Sequence, residues 1–168
     1  MAMSKNKTDT ANSTPFFLKY AALIGPIGFL IATAIQYAVH GTDDFGNMLL
    51  INGITWLIGG ASLGAGVAHT FYGPPVAASI GWKPSPFQYE VGLANLGIGA
   101  AGVLASYHGP EYWLAVIIVS TIFLWGAAIG HIREMIVAKN FAPNNAGIIF
   151  WTDILCPLFL IIVYNIVV

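Results

Sequence analysis

Apolar positions along the chain fall into five long runs, broken by short clusters of glycine, proline, asparagine and aspartate. The runs cover 16–39, 48–71, 87–107, 111–135 and 148–168. Each is long enough to cross a hydrocarbon core, which takes about 20 helical residues. The breaks are Gly41-Thr42-Asp43-Asp44, Gly73-Pro74-Pro75, His108-Gly109-Pro110 and Ala142-Pro143-Asn144-Asn145, and such clusters mark helix ends. The runs lack the alternation of a barrel strand. Backbone groups in lipid must be satisfied within the segment, so helices are expected. The pattern predicts an all-α integral membrane bundle of five transmembrane helices occupying 16–168, behind a polar cytoplasmic tail at 1–15. Ala32-Thr33-Ala34 imitates a signal cleavage site, but the apolar run continues past it, so the first segment is read as a retained helix. Gly25-Pro26 is expected to kink it or to end a first turn.

Composition agrees with this reading. Of 168 residues 57% are hydrophobic and 8% charged, and mean hydropathy is +0.76. A soluble domain carries about 25% charged residues. The net charge of −1 offers no basic footprint for nucleic acid. The single cysteine, Cys156, excludes an intramolecular disulfide framework and any multi-cysteine metal site. Charge also orients the bundle. Lys5, Lys7, Lys19, Lys83, Arg133 and Lys139 all fall on one side of a five-helix plan, and Asp43, Asp44 and Glu111 fall on the other. The positive-inside rule then puts the N-terminus in the cytoplasm and the C-terminus outside.

Small residues mark packing faces. Gly60 and Gly64 form a G-x-x-x-G, and Gly92, Asn95, Gly99, Gly102 and Ser106 repeat at heptad spacing. Such stripes let helix backbones approach closely. They either build the bundle or form a self-association face of a homo-oligomer. Ser85-Pro86-Phe87-Gln88 reads as a capping box with a proline start. The stretch near 76–83 reads as a short interfacial helix.

Ionisable groups inside membrane segments are costly and point to function. His69, Glu90, His131, Glu134 and Asp153 sit on four different helices, all near the cytoplasmic boundary, with Asn95 slightly deeper. His131 and Glu134 are three apart, on one helical face. Four uses are open to this set. It forms an interhelical network that fixes the bundle; it handles protons or a small solute; it binds zinc, iron or manganese through His69, Glu90, His131, Glu134 and Asp153; or it holds haem. Haem has the least support, since His40 and His108 fall at helix ends and no C-x-x-C-H motif is present. Di-iron bundles use Glu-x-x-His twice, whereas this chain has one His131-x-x-Glu134 in reverse order.

Three stretches carry a resemblance. They are Ile80-Gly81-Trp82-Lys83-Pro84-Ser85-Pro86-Phe87-Gln88-Tyr89-Glu90 with Ala94-Asn95-Leu96-Gly97; Phe123-Leu124-Trp125-Gly126-Ala127-Ala128-Ile129-Gly130-His131-Ile132; and Asn140-Phe141-Ala142-Pro143-Asn144-Asn145-Ala146-Gly147 leading to Thr152-Asp153-Ile154. Over about 50–168 the chain resembles a family of small prokaryotic membrane proteins of unknown function. The resemblance implies a multi-helix membrane fold and a prokaryotic plasma membrane, and carries no activity or cofactor. The preferred expectation is proton-linked handling of an ion or small solute. In it Glu90 and Asp153 carry charge, His69 and His131 relay or bind, and Asn95 orients. The rivals are a metal-dependent redox or hydrolytic centre and an accessory subunit of a larger membrane complex.

Overall fold

The computed structural model describes residues 20–168. The expected tail at 1–15, and positions 16–19 of the first run, lie outside the described residues. Among those described there is helix and no strand. A 3-10 turn, Ala21–Leu23, leads into α1, Ile24–His40; then come α2, Phe45–Ile80; α3, Phe87–Leu104; α4, Pro110–Val137; the short α5, Pro143–Ala146; and α6, Ile148–Val167. Four segments are long and apolar enough to cross a membrane: Ala21–His40, Phe45–Ile80, Pro110–Val137 and Pro143–Val167. Helix α3 has 18 residues and carries Gln88, Glu90 and Asn95, which lower its apolar character.

Two breaker signals play different parts. At Gly25-Pro26 the 3-10 turn Ala21–Leu23 gives way to α-helix, in keeping with the expected end of a first turn. Gly73-Pro74-Pro75 departs from its reading. Pro26 lies in the first turn of α1, where a missing N–H removes no helical bond, and it does not end the helix. Gly73-Pro74-Pro75 does not terminate α2, which runs 36 residues. The chain instead kinks at Tyr72 (φ −130°, ψ 32°) and resumes as helix to Ile80. The prolines sit in the first turn of the resumed segment, again where no N–H is required. That segment ends at Gly81, whose φ of 79° closes the helix in the left-handed conformation that glycine adopts without strain. The short interfacial helix expected near 76–83 overlaps this resumed segment, which ends at Ile80. Its Val76, Ala77 and Ile80 are buried on the bundle.

The middle of α2, Gly53–Gly60, is π-helical, so its amides bond five residues back. Either side of this stretch serves different neighbours. Towards its start, Gly46 meets Val167 and Gly53 meets Leu160 of α6. Asn52 also donates to Gln36 Oε1 at 2.9 Å and Thr33 Oγ1 at 3.3 Å of α1. Beyond it, α2 packs antiparallel on α3 through the small residues. A Cβ on Gly102 would lie 2.6 Å from Gly59 N, and one on Gly99 would lie 2.7 Å from Leu63 N. Gly66 and Gly92 meet Leu96 and Thr70 equally closely. Gly60 and Gly64 face Trp56, Ile24 and Ala21, so this pair packs towards α1.

The core divides along the bundle. At the end holding the α1–α2 and α3–α4 turns, Leu50, Ile54, Ile58, Ala105, Trp113, Val116, Ile117, Leu160 and Val163 form an apolar cluster. Trp113 and Tyr112 pin α4 to the end of α3 through Ala105 O (2.8 Å) and Ala101 O (2.9 Å). The other end, where the 81–86 and 138–147 connections meet, is polar and partly hollow.

Candidate functional site

The hollow is a cavity of about 360 Å³ between α1, α2, α3, α4 and α6. Four of the six residues singled out in the sequence line it: His69, Asn95, His131 and Asp153. Each comes from a different helix. Glu90 is exposed, in the first turn of α3 and off the cavity. Glu134 is half-buried and does not line it either. Three residues along a helix rotate the side chain by about 60° and advance it about 4.5 Å. That displaces Glu134 from His131 despite their shared face. Arg133 is exposed, and the one pair at salt-bridge distance among the described residues is His131–Asp153.

Asn145 organises this end. It is fully buried, in the connection just before α6. Its amide nitrogen donates to Asn140 O (2.9 Å) and His131 O (3.3 Å), which fixes the orientation of the side chain. Its Oδ1 therefore accepts, and Trp82 Nε1 donates to it at 3.0 Å. Asn140 extends the network, donating to Ile80 O at 2.9 Å, and Asn144 donates to Ser79 Oγ at 3.2 Å. The α2–α3 and α4–α6 connections are thus stitched together by three asparagines.

The same oxygen settles the state of His131. Asn145 Oδ1 lies 2.8 Å from His131 Nδ1. A carbonyl oxygen only accepts, so Nδ1 carries a hydrogen and donates. The other nitrogen, Nε2, faces Asp153 Oδ2 at 3.8 Å. Two neutral arrangements of the pair follow: imidazolium with carboxylate, or imidazole with carboxylic acid. Both hold one shared proton. At 3.8 Å the two groups are beyond direct hydrogen-bond length and within ion-pair distance.

The rest of the lining is mostly apolar and small, including Ala61, Ala65, Ala68 and Ala127. His69 Nδ1 is hydrogen-bonded to Gln88 Oε1 of α3. Gln88 therefore holds a cavity histidine instead of closing the expected capping box, while Ser85 Oγ accepts from Phe87 N at 3.1 Å. Asn95 Nδ2 donates to Val91 O at 2.9 Å, leaving Oδ1 free to accept. Pro157, buried inside α6, has no N–H for the carbonyl four residues back. That carbonyl belongs to Asp153. Asp153 thus brings both a carboxyl group and a backbone acceptor without its usual helical donor.

The five-residue metal set does not assemble. Among the described residues no three His, Cys, Asp or Glu side chains come together as a metal-binding group, because Glu90 and Glu134 lie off the cavity. Sequence reasoning assigns Asn140 and Asn145 no site role: Asn145 reads as part of a helix-breaking cluster, and Asn140 only as part of a stretch carrying the family resemblance. The available signal was density: Asn140, Asn144 and Asn145 fall within six positions, more amide than a turn requires.

Apolar helices of membrane-spanning length around a partly polar cavity fit an integral membrane protein. The chain belongs to DUF6790, a family of unknown function, whose family model matches residues 14–167. No curated protein and no solved structure matches it.

Proposed function

We propose that this chain is a membrane-embedded solute-binding protein, and that the His131–Asp153 pair exchanges its proton as the solute binds. The observation that carries this is the convergence of His69, Asn95, His131 and Asp153, from four helices, on one cavity of about 360 Å³. That size is within the range of small-molecule sites, about 300–1,000 Å³. In this reading the chain crosses the bilayer five times, α3 included. With its 3-10 extension Ala105–Tyr107, α3 reaches about 30 Å at about 1.5 Å per residue. The segregation of Lys83, Arg133 and Lys139 from Asp43, Asp44 and Glu111 supports a cytoplasmic N-terminus and a cavity near the cytoplasmic side.

The test is a thermal-shift screen of purified protein against a panel of small solutes at about pH 5 and about pH 8, the span over which histidine pairs change charge. Ligand at about 100 times its Kd stabilises a protein by about 2.7 kcal/mol. A stabilising solute is expected whose effect differs between the two pH values and vanishes in Asp153→Asn. Equal responses of wild type and variant at both pH values refute the proposal.

The Asn145 network favours a second reading, in which the polar end only locks the bundle. That reading requires Asp153→Asn to lower stability in the absence of any solute. The binding reading expects the unliganded variant to melt close to wild type.

A further inference from the structure

The chemistry of the lining narrows the solute, on the binding reading above. Besides the Ser62 hydroxyl, which can donate or accept, the polar groups on the lining are mainly acceptors: the Asp153 carboxylate and Asn95 Oδ1. His69, with Nδ1 turned to Gln88, adds Nε2 as a further acceptor when neutral. Among the described residues no lysine or arginine lines the cavity, and Lys83, Arg133 and Lys139 are exposed. A phosphate or carboxylate would meet Asp153 with no countercharge but the His131 proton.

The way in is also apolar. A second hollow of about 290 Å³ lies between α1 and α6, and it shares Pro26, Leu57 and Cys156 with the main cavity. Its outer part is formed by Phe29, Leu30, Leu155 and Phe159. Leu30 and Leu155 are 64% and 52% exposed on the outer surface of the bundle. Phe29 and Phe159 meet edge to face, centroids 5.6 Å apart, and narrow the groove. Cys156 is three residues from Asp153, so it stands one helical turn along the same face. A route lined by hydrocarbon and aromatic groups from the lipid-facing surface to a carboxylate suits a molecule that is itself apolar and positively charged.

We infer that the cavity takes a lipophilic monocation, that this cation reaches Asp153 sideways from the bilayer between α1 and α6, and that it displaces the proton shared by His131 and Asp153. The exchange balances. The cation pairs with the Asp153 carboxylate, His131 Nε2 gives up its proton to solvent, and the site keeps the same net charge. The titratable groups facing Asp153 are His131 from α4, His69 from α2 and Cys156 on its own helix. α3 contributes Asn95, and the α1 side contributes Ala21, Ala22 and Pro26, none of which titrates. One proton exchanged for one cation makes affinity rise about tenfold per pH unit wherever the pair holds its proton.

The experiment is equilibrium dialysis of labelled tetraphenylphosphonium against the full chain in detergent micelles, with empty micelles subtracted. Triphenylphosphine oxide and tetraphenylborate serve as neutral and anionic counterparts. Saturable binding of the phosphonium alone is expected, with the tenfold-per-unit pH dependence and one proton released per cation in unbuffered solution. Asp153→Asn should lower affinity about 100-fold, and Asp153→Glu should restore part of it. In a stopped-flow time course of the same binding, Leu30→Trp, at the exposed rim, should slow association and dissociation together. Phosphonium binding that ignores pH, or that survives in Asp153→Asn, overturns the inference as adsorption to apolar surface. If Asp153→Asn fails to fold, the proton count on wild type and the Asp153→Glu affinity decide. Asp153-dependent binding of the neutral or anionic probe overturns the cation assignment and leaves the solute site standing. Absence of binding by all three overturns the inference, and the solute panel judges the site separately. An unchanged association rate in Leu30→Trp overturns the lateral route.

Discussion

Replacing Asn145 by alanine removes the acceptor of two N–H groups that have no alternative. Trp82 Nε1 and His131 Nδ1 both donate to its Oδ1, and the alanine methyl cannot accept. An orphaned buried donor costs about 1–3 kcal/mol. His131 is 5% exposed and bears the larger share. Trp82 is half-buried, so water relieves part of its loss. The two together give about 2–4 kcal/mol. Two connections lose their stitch at once, so the loss should be cooperative and not confined to a frayed loop. The control is next door: Asn144 makes a side-chain bond to Ser79, and Asn144→Ala should cost about 0.5–1 kcal/mol. The assay is reversible unfolding in mixed micelles, with tryptophan fluorescence as one readout. Trp82, beside His131 at 5.6 Å between ring centroids, makes that readout local as well as global. Asn145→Ala and Asn144→Ala unfolding within about 0.5 kcal/mol of each other would show that the Asn145 network does not hold this end together.

The α2–α3 seam gives a paired prediction. Gly102→Val drives a side chain into the Gly59 backbone, 2.6–2.7 Å away, and should cost about 3 kcal/mol or prevent folding. Gly97→Ala meets nothing within 4 Å and should be neutral or stabilising by up to about 1 kcal/mol in the same unfolding assay. His69→Phe removes the side-chain link to Gln88 and should lower stability by about 0.6–1.7 kcal/mol, the range for interhelical hydrogen bonds in membranes; a loss above about 3 kcal/mol would mean that His69 holds more than Gln88. The orientation of the last crossing is tested by cysteine labelling of intact cells in a Cys156→Ala background. Val168→Cys should react with an impermeant maleimide and Lys139→Cys only after permeabilisation. Reaction at both positions, or at neither, before permeabilisation excludes five crossings with this orientation.

Helix positions were legible because the bilayer imposes a simple requirement. A run such as 111–135 must be helical and apolar throughout, and α4 runs Pro110–Val137. The kink at Tyr72 was harder to foresee, since Gly-Pro-Pro reads equally as a terminator and as the first turn of a resumed helix. Two cavity residues on each of two opposing pairs of helices, His69 with Asn95 and His131 with Asp153, stood out because polar groups are rare in such runs. Glu90 and Glu134 stood out for the same reason but lie off the cavity, because depth along a helix is readable from sequence while azimuth is set by packing. The azimuth of α3 is dictated by Gly92, Gly99 and Gly102 burying against α2, and this turns Glu90 outward. Asn145 escaped notice because its worth lies in contacts 14 and 63 positions away, which no local pattern encodes.

The π-helical stretch of α2 has a consequence for how such a chain can change length over evolutionary time. Elsewhere in α2, deleting one residue rotates everything beyond it by about 100°. A deletion near Ala65 would swing Gly66 and His69 away from Leu96 and Gln88, their present neighbours. Within Gly53–Gly60 the backbone already carries surplus residue per turn. One residue removed there lets the turn tighten to α while both flanking halves keep their phase. Among relatives that keep this bundle, single-residue insertions and deletions in the membrane-spanning part of α2 should therefore gather at 53–60, with the glycine seam below and the α6-facing half above held at fixed spacing.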